Sequence, residues 1–241
     1  MGTGPESTPL RATLRPMPGT PELPDPRPFA RTSPVFDPRP VTLTGHLARM
    51  EPLAPEHFAG LAQIAFDEET WRWTREQSMD DEIALHRYVD GALAEAAAGR
   101  EVPFAQVDAA TGTVAGMTRF HSIERAHRRL EIGWTWIGLP WRGTGFNAEA
   151  KLLLLRQAFD GWGAHRVEFK TDAHNARSRG ALAAIGATEE GTLRRHVITE
   201  RGRVRDSVYF SVIWEEWPRV EAHLEQRVAD AIGRAPAREP G

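Results

Sequence analysis

Hydrophobic residues recur along this chain with two different periods, which predicts a mixture of strands and helices. Alternating runs with strand composition lie at 41–44, 47–51, 104–108, 114–120, 129–137, 166–171, 193–199 and 205–214. Helical signals cover 55–66, 79–98, 147–160, 175–186 and 216–232. Ser78 and Asp81 form a capping-box pattern before the second helix, and 109–113 and 200–203 have the composition of hairpin turns.

The order of these elements predicts the fold class. Three consecutive strands and a later pair favour antiparallel neighbours, whereas only 129–137, the next helix and 166–171 form a strand–helix–strand crossover. We therefore expect an α+β protein with a mixed, mostly antiparallel sheet rather than a doubly wound parallel sheet.

Proline is concentrated at the start of the chain, where residues 1–40 hold 11 of the 18 prolines. Because proline lacks a backbone donor and restricts the residue before it, this stretch is predicted to be a flexible tail. We expect one folded domain at 41–232 and a frayed C-terminus at 233–241.

Composition excludes several classes of protein. The 241 residues include no cysteine, which excludes disulfides, cysteine-ligated metals and a cysteine nucleophile. A net charge of −3 argues against nucleic-acid binding, and no apolar run is long enough to cross a membrane. The nine histidines show no HxxxH or HExxH spacing and no GxSxG motif occurs, so we expect neither a metal centre nor a serine hydrolase. Residues 1–30 lack a secretory apolar segment, and a cytoplasmic location is expected.

A glycine-rich loop joins the strand at 129–137 to the helix at 147–160. Glycines and a helix N-terminus expose backbone N–H groups, which together predict a cradle for phosphate or pyrophosphate. A P-loop is rejected because Thr144 stands where lysine is required. Gly143, Gly145 and Ala148 satisfy a dinucleotide fingerprint, but Pro140-Trp141-Arg142 separates these glycines from the strand, so a dinucleotide-binding oxidoreductase is kept only as a distant alternative.

The loop also reads as an acyl-CoA signature, Arg142-Gly-Thr-Gly145-Phe-Asn147. With Leu130-Glu-Ile-Gly-Trp before it, Asn147-x-Glu-Ala-Lys151 after it and Lys170-Thr-Asp-x-x-Asn175-x-x-Ser178 further on, the chain resembles the GCN5-related N-acetyltransferase (GNAT) superfamily. The resemblance spans about 45–225 and is strongest to the RimJ/RimL-like branch.

The resemblance implies the GNAT fold, in which two splayed parallel strands hold acetyl-CoA as the co-substrate. It implies cofactor contacts from backbone groups of Trp136 and Ile137, from the N–H groups of 142–147, and from Asn175 and Ser178. The cofactor residues are thus Trp136, Ile137, Arg142, Gly143, Thr144, Gly145, Phe146, Asn147, Asn175 and Ser178.

The same resemblance implies transfer by direct attack of a primary amine on the thioester. Glu131 is the candidate general base, with an ion pair to Arg128 or Arg129 as the structural alternative. Ser178 is the candidate general acid, because Ala181 and Leu182 stand where many family members carry tyrosine.

Trp71, Trp73 and Tyr209 are candidates for the acceptor pocket, with packing as the alternative for each. The acceptor is a small-molecule amine or a protein N-terminus, and the charge of −4 on 41–241 slightly favours a cationic one. A homodimer is expected from the resemblance. A catalytically degenerate acyl-CoA sensor is the alternative function.

Overall fold

The computed structural model describes residues 35–76 and 79–234, and its centre is an eight-stranded sheet. The strands are β1 (Leu43–Thr44), β2 (Ala48–Pro52), β3 (Val102–Asp108), β4 (Val114–Glu124), β5 (Arg129–Ile137), β6 (Arg166–Asp172), β7 (Thr188–Ile198) and β8 (Val204–Ile213). The helices are α1 (Phe58–Ala62), α2 (Glu68–Trp71), α3 (Glu82–Ala97), α4 (Phe146–Arg156), α5 (Ala176–Ala184) and α6 (Trp217–Arg234). In the described residues no helix is both long and apolar enough to cross a membrane.

The strand order across the sheet is β1-β2-β3-β4-β5-β6-β8-β7. Every neighbouring pair is antiparallel except β5 and β6, which run parallel and are connected through α4. A parallel pair needs such a crossover, whereas the antiparallel pairs β3–β4 and β7–β8 are closed by short hairpins. The predicted mixed, mostly antiparallel sheet is therefore confirmed.

Both faces of the sheet are covered. Along β3, Val102 and Phe104 belong to the larger core, and Ala105 and Val107 belong to a second, smaller core. Since successive strand residues point to opposite faces, the two cores lie on opposite sides of the sheet. The larger core takes buried residues from α4 and α6, and the smaller core takes them from α1 and α3.

Three helical segments differ from the sequence prediction. The predicted helix at 55–66 is a 3₁₀ turn followed by the short α1, and the short α2 lies beyond its predicted end. Helix α3 begins three residues later than predicted, because the Asp81 carboxylate caps it by accepting the Ala84 N–H at 2.8 Å. Ser78 lies outside the described residues. Helix α4 ends at Arg156 and continues as one π-helical turn, Gln157–Gly161.

The edges of the domain also differ from the prediction. Phe36, inside the predicted tail, is buried in the larger core, and α6 continues to Arg234. The rest of the tail at 1–34 and the C-terminus at 235–241 lie outside the described residues. Strand β7 begins at Thr188, five residues before its predicted start at 193. It is an exposed edge strand, so no alternation of buried residues marks its start in the sequence.

Glu149 of α4 fastens the helix to the first hairpin. Its buried carboxylate accepts the backbone N–H groups of His46, Leu47 and Ala48 at 2.5 to 2.8 Å. A side chain on Gly45 would overlap this carboxylate, since the added Cβ would lie 2.4 Å from Glu149 Cδ. The β1–β2 turn is therefore built around a carboxylate about 100 residues further along the chain.

We predict that Glu149→Ala lowers the free energy of unfolding by about 3 kcal/mol or more, because three backbone N–H groups lose their acceptor. Denaturant unfolding followed by circular dichroism measures the change. Glu225→Ala is the control, since Glu225 forms an exposed ion pair with Arg156 on the helix surface and its loss should hardly move the midpoint. Equal effects of the two substitutions would contradict the proposed clamp.

Candidate active site

The site begins where β5 and β6 part. The two strands pair only at Arg129↔Arg166, Leu130↔Val167 and Glu131↔Glu168. Beyond Glu131, β5 continues beside β4 as far as Ile137, while β6 continues beside β8 as far as Asp172. A wedge-shaped opening therefore forms in the middle of the sheet, as the resemblance implied.

A β-bulge lies in β5 at the mouth of this wedge. Gly133 pairs with Arg119 and Trp136 with Met117, so β5 holds one extra residue there. Trp134 takes a positive φ of 53°, which is rare for a bulky side chain. The bulge directs Thr135 Oγ1 to within 2.7 Å of Thr118 Oγ1.

A cavity of about 580 Å³ occupies the wedge and lies between the two cores. Ten predicted site residues line it: Trp71, Trp73, Glu131, Trp136, Ile137, Arg142, Gly143, Asn147, Asn175 and Ser178. Four others, Thr144, Gly145, Phe146 and Tyr209, do not contribute to its wall. The structure thus brings the candidate base, the candidate acid and the glycine turn to one space.

Glu131 is the buried carboxylate of the cavity. Its oxygens lie 3.4 Å from His121 Nε2 and 3.3 Å from Lys170 Nζ, and neither Arg128 nor Arg129 contacts it. Burial acts to raise the pKa of Glu131, but the hydrogen bond from His121 and the charge of Lys170 hold the pKa below its usual range. Glu131 is therefore ionised at neutral pH. Gly133 leaves room for the imidazole, because a Cβ there would lie 2.4 Å from His121 Nε2.

Ser178 and Asn175 lie at the start of α5, on another wall of the cavity. The Asn175 carboxamide oxygen accepts the Ser178 N–H at 3.0 Å and so caps the helix. This cap gives Asn175 a structural role in addition to the predicted cofactor contact.

The glycine turn presents one open glycine and one packed glycine. Gly143 has φ +76° and no atom lies within 4 Å of a Cβ built there, whereas a Cβ on Gly145 would lie 2.3 Å from Ala231 Cβ of α6. The N–H groups of the first three residues of α4, 146–148, have no acceptor within the helix, since the first such bond runs from Glu149 N–H to the Gly145 carbonyl. Phe146 is buried in the larger core.

Arg142 is already engaged within the protein. Its backbone N–H donates to the Leu139 carbonyl, and its guanidinium donates to the Ile137 carbonyl at 3.0 Å and to Thr70 Oγ1. The Ile137 carbonyl and the Arg142 amide, both predicted to contact the cofactor, are thus satisfied internally.

Trp71 and Trp73, which precede α3, form another part of the cavity wall. Trp71 is buried, with its ring centroid 5.3 Å from that of Trp136, so it packs in the smaller core and lines the cavity as well. Trp73 is half-buried and stacks on His174 with 5.8 Å between ring centroids. Tyr209 lies behind the wall, where the Lys170 ammonium sits 5.5 Å from its ring centroid.

Lys151 is a cavity residue whose importance the sequence did not reveal. It lies one turn after Asn147 on the same face of α4, and its amine donates to Thr135 Oγ1 at 3.0 Å. Burial lowers the pKa of Lys151 to about 7. In the sequence this lysine stands out only as part of a helix motif, because its position opposite the bulge depends on the three-dimensional fold.

The profile of the Acetyltransferase (GNAT) domain family matches residues 48–188. YdaF of Bacillus subtilis (strain 168), provisionally named a ribosomal N-acetyltransferase, is 32% identical over 106 residues, which cover 44% of this chain and 57% of YdaF. The match therefore spans little more than half of that relative.

Solved structures extend the similarity over most of the chain. An acetyltransferase, named so provisionally, from T. thermophilus superimposes with a TM-score of 0.71 at 38% identity, covering 78% of this chain and 97% of its own. Mycobacterium smegmatis RimJ, solved with CoA-disulfide, gives a TM-score of 0.67 at 26% identity and covers 83% of this chain and 97% of its own. The sequence motifs, the wedge between β5 and β6 and the similar proteins all indicate the same family. The chain belongs to the GNAT acetyltransferase family, in its RimJ/RimL-like branch.

Proposed function

We propose that this protein transfers an acetyl group from acetyl-CoA to a primary amine of a small molecule or a protein N-terminus. The observation that carries the proposal is the cavity at the parting of β5 and β6, which joins an open glycine turn to a buried carboxylate. Family membership supports acetyl transfer in general, and M. smegmatis RimJ was solved with a CoA compound. A homodimer and a cytoplasmic location stay predictions.

The residues present fit an acyl-CoA. Gly143 leaves space beside the uncapped N–H groups at the start of α4, which is the arrangement that holds phosphate groups. Trp136 Nε1 is buried without a hydrogen-bond partner among the described residues, and Trp136 lines the wedge. When bound, acetyl-CoA would supply the activated acyl group. Cofactor contacts through Thr144, Gly145 and Phe146 stay predictions that rest on their backbone groups.

Proton transfer is assigned to two groups of the cavity. The new N–C bond forms as the C–S bond breaks, so the amine loses a proton and the thiolate gains one. We assign the Glu131 carboxylate as the acceptor of the amine's proton, directly or through water, because it is ionised and buried at the wedge. Ser178 is the proposed donor to the thiolate, since it lines the same space from α5.

The first experiment is a pair of calorimetric titrations of the full chain, one with acetyl-CoA and one with NADH. Binding of acetyl-CoA with micromolar affinity and no binding of NADH supports the proposal. NADH binding without acetyl-CoA binding would instead support the dinucleotide reading of the glycine loop. Acetyl-CoA that binds but is not turned over with any amine of a broad panel would identify a sensor.

We predict that Gly143→Asp weakens acetyl-CoA binding at least tenfold relative to Gly143→Asn. The two side chains have the same size and both tolerate positive φ, so the comparison isolates the carboxylate charge placed beside the phosphate groups. Calorimetry measures both affinities, and thermal melting checks that both variants fold alike. Gly145 is unsuitable for this test because any side chain there meets Ala231. Equal affinities would place the phosphates elsewhere.

We predict that Glu131→Gln lowers kcat by roughly 100-fold at neutral pH, the usual range for loss of a general base. Since the pKa of Glu131 is held low, the wild-type rate should show no inflection from this group between pH 6 and 9. Glu168→Gln is the matched control, because Glu168 pairs in register with Glu131 but binds Arg129 and Arg166 outside the cavity. A Glu131→Gln rate equal to wild type across this range would make Glu131 structural.

We predict that Lys151→Met is more stable than wild type at pH 7, and that its advantage shrinks as the pH rises toward 10. The unfolded chain holds the lysine proton up to pH 10.5 while the native protein releases it near pH 7, so wild-type stability rises with pH in this window. The variant lacks this rise. Denaturant unfolding at several pH values measures the difference in free energy of unfolding between the two proteins. A difference that does not change with pH would show that Lys151 keeps the pKa of an ordinary lysine.

A further inference from the structure

Arg205 is a buried guanidinium without an adequate partner. It lies near the start of β8, its side chain is 7% exposed, and it lines the cavity. Within the described residues its contact with a carboxylate is a loose one, 3.9 Å from Nε to Asp172 Oδ2, and its Nε is fully enclosed without a hydrogen bond. Asp172 is engaged more closely by Arg203, at 2.5 Å.

A second buried arginine shows how this fold satisfies such a group when its role is structural. The Arg119 side chain is 5% exposed, and it donates to Glu101 at 2.8 Å. It also lies 4.3 Å from the Trp134 ring centroid and 5.1 Å from that of Tyr88. The Nε of Arg119 is enclosed without a hydrogen bond as well, so the difference lies in the close carboxylate and the two rings, which Arg205 lacks among the described residues. Burying a charge without such contacts is costly.

The position of Arg205 associates it with the acceptor side of the cavity. Glu131 and Glu76 are both close enough for their charges to act on the Arg205 guanidinium, and both line the same cavity. Basic side chains nevertheless outnumber carboxylates in the cavity wall by six to three: Arg75, Arg142, Lys151, Lys170, Arg177 and Arg205 against Glu76, Glu101 and Glu131. The local charge around Arg205 therefore differs from the net negative charge of the domain, which had slightly favoured a cationic acceptor.

We propose that Arg205 binds a carboxylate of the acceptor, so that the acceptor is a small amine of the amino-acid class. This inference rests on the proposed function. The planar fork of arginine donors matches a carboxylate, and such a contact would give the guanidinium a closer carboxylate partner than Asp172. The carboxylate end of the acceptor lies at Arg205, and its amine end lies toward Glu131. A volume of about 580 Å³, shared with the acyl end of the co-substrate, suits a compound of this size.

The test compares matched acceptors. Thiol release is measured for free amino acids and for their primary amides, which differ only in the carboxylate, with wild type, Arg205→Met and Arg205→Lys. We expect wild type to prefer the acids by about 30-fold or more in kcat/KM, Arg205→Met to lose at least about tenfold of that preference, and Arg205→Lys to keep part of it. Binding of N-acetyl amino acids and their amides to the CoA-saturated protein, measured by calorimetry, gives the same comparison without turnover.

Arg119→Met is the matched control. It should lower the melting temperature, because Glu101 loses its partner, and leave the acid-to-amide ratio unchanged. Arg205→Met should not lower the melting temperature, since it removes a charge that lacks hydrogen bonds.

Each remaining outcome has a defined meaning. Failure of wild type to bind acetyl-CoA would refute the proposed function itself. If acetyl-CoA binds, three results overturn the Arg205 assignment alone: equal handling of acids and amides by wild type, loss of acetyl-CoA affinity in Arg205→Met, or turnover of peptides to the exclusion of free amino acids.

Discussion

The parting of β5 and β6 after three residue pairs is the constraint on which the rest of the site depends. A sheet that opens in its middle exposes backbone groups inside the protein, and each needs a partner. The protein supplies some of these itself, since Arg142 donates to the Ile137 carbonyl and the buried Gln106 donates to the Trp136 carbonyl at 3.2 Å. What remains in the wedge is a cavity enclosed by both cores, which a ligand can enter without breaking a strand pair.

The buried charged side chains of this cavity are of two kinds, those with close partners of opposite charge and those without. Glu131 is balanced by His121 and Lys170, so its ionised form is stable despite burial. Lys151 and Arg205 are buried without a close carboxylate among the described residues, and burial lowers the pKa of both groups. Unbalanced groups of this kind concentrate where a bound molecule completes the interaction. The cavity is thus organised for an occupied state.

Much of the fold could be predicted from the sequence because its signals are local. Strand β5 was predicted with its observed bounds, and both hairpin turns were predicted from their composition. The glycine turn and the helix motif predicted, through resemblance to a family, where the cofactor would bind. The remaining features depend on residues far apart in sequence. The bulge at Trp134 interrupts a strand whose alternation of residues looks regular in the sequence. The Glu149 carboxylate finds its hydrogen-bond donors only when the fold brings the turn at 46–48 to it.

The partners of Glu131 also could not be predicted from the sequence. Sequence proximity suggested Arg128 or Arg129, but Arg129 contacts Glu168 on the adjoining strand, and Glu131 turns to β4 and β6 instead. Likewise nothing local distinguishes Arg205 from the other arginines of its hairpin. Only the three-dimensional structure shows that Arg205 lines the cavity while other arginines of this hairpin do not.

The contact between Gly145 and Ala231 joins the glycine turn to the last helix of the domain. A Cβ at 145 and the methyl group of residue 231 would occupy one space, so residue 145 can carry a side chain only where residue 231 is glycine. Among homologues these two positions, 86 residues apart by their numbers, should therefore vary together. An alignment that treats the C-terminal helix as a mere appendage would overlook a residue that shapes the glycine turn.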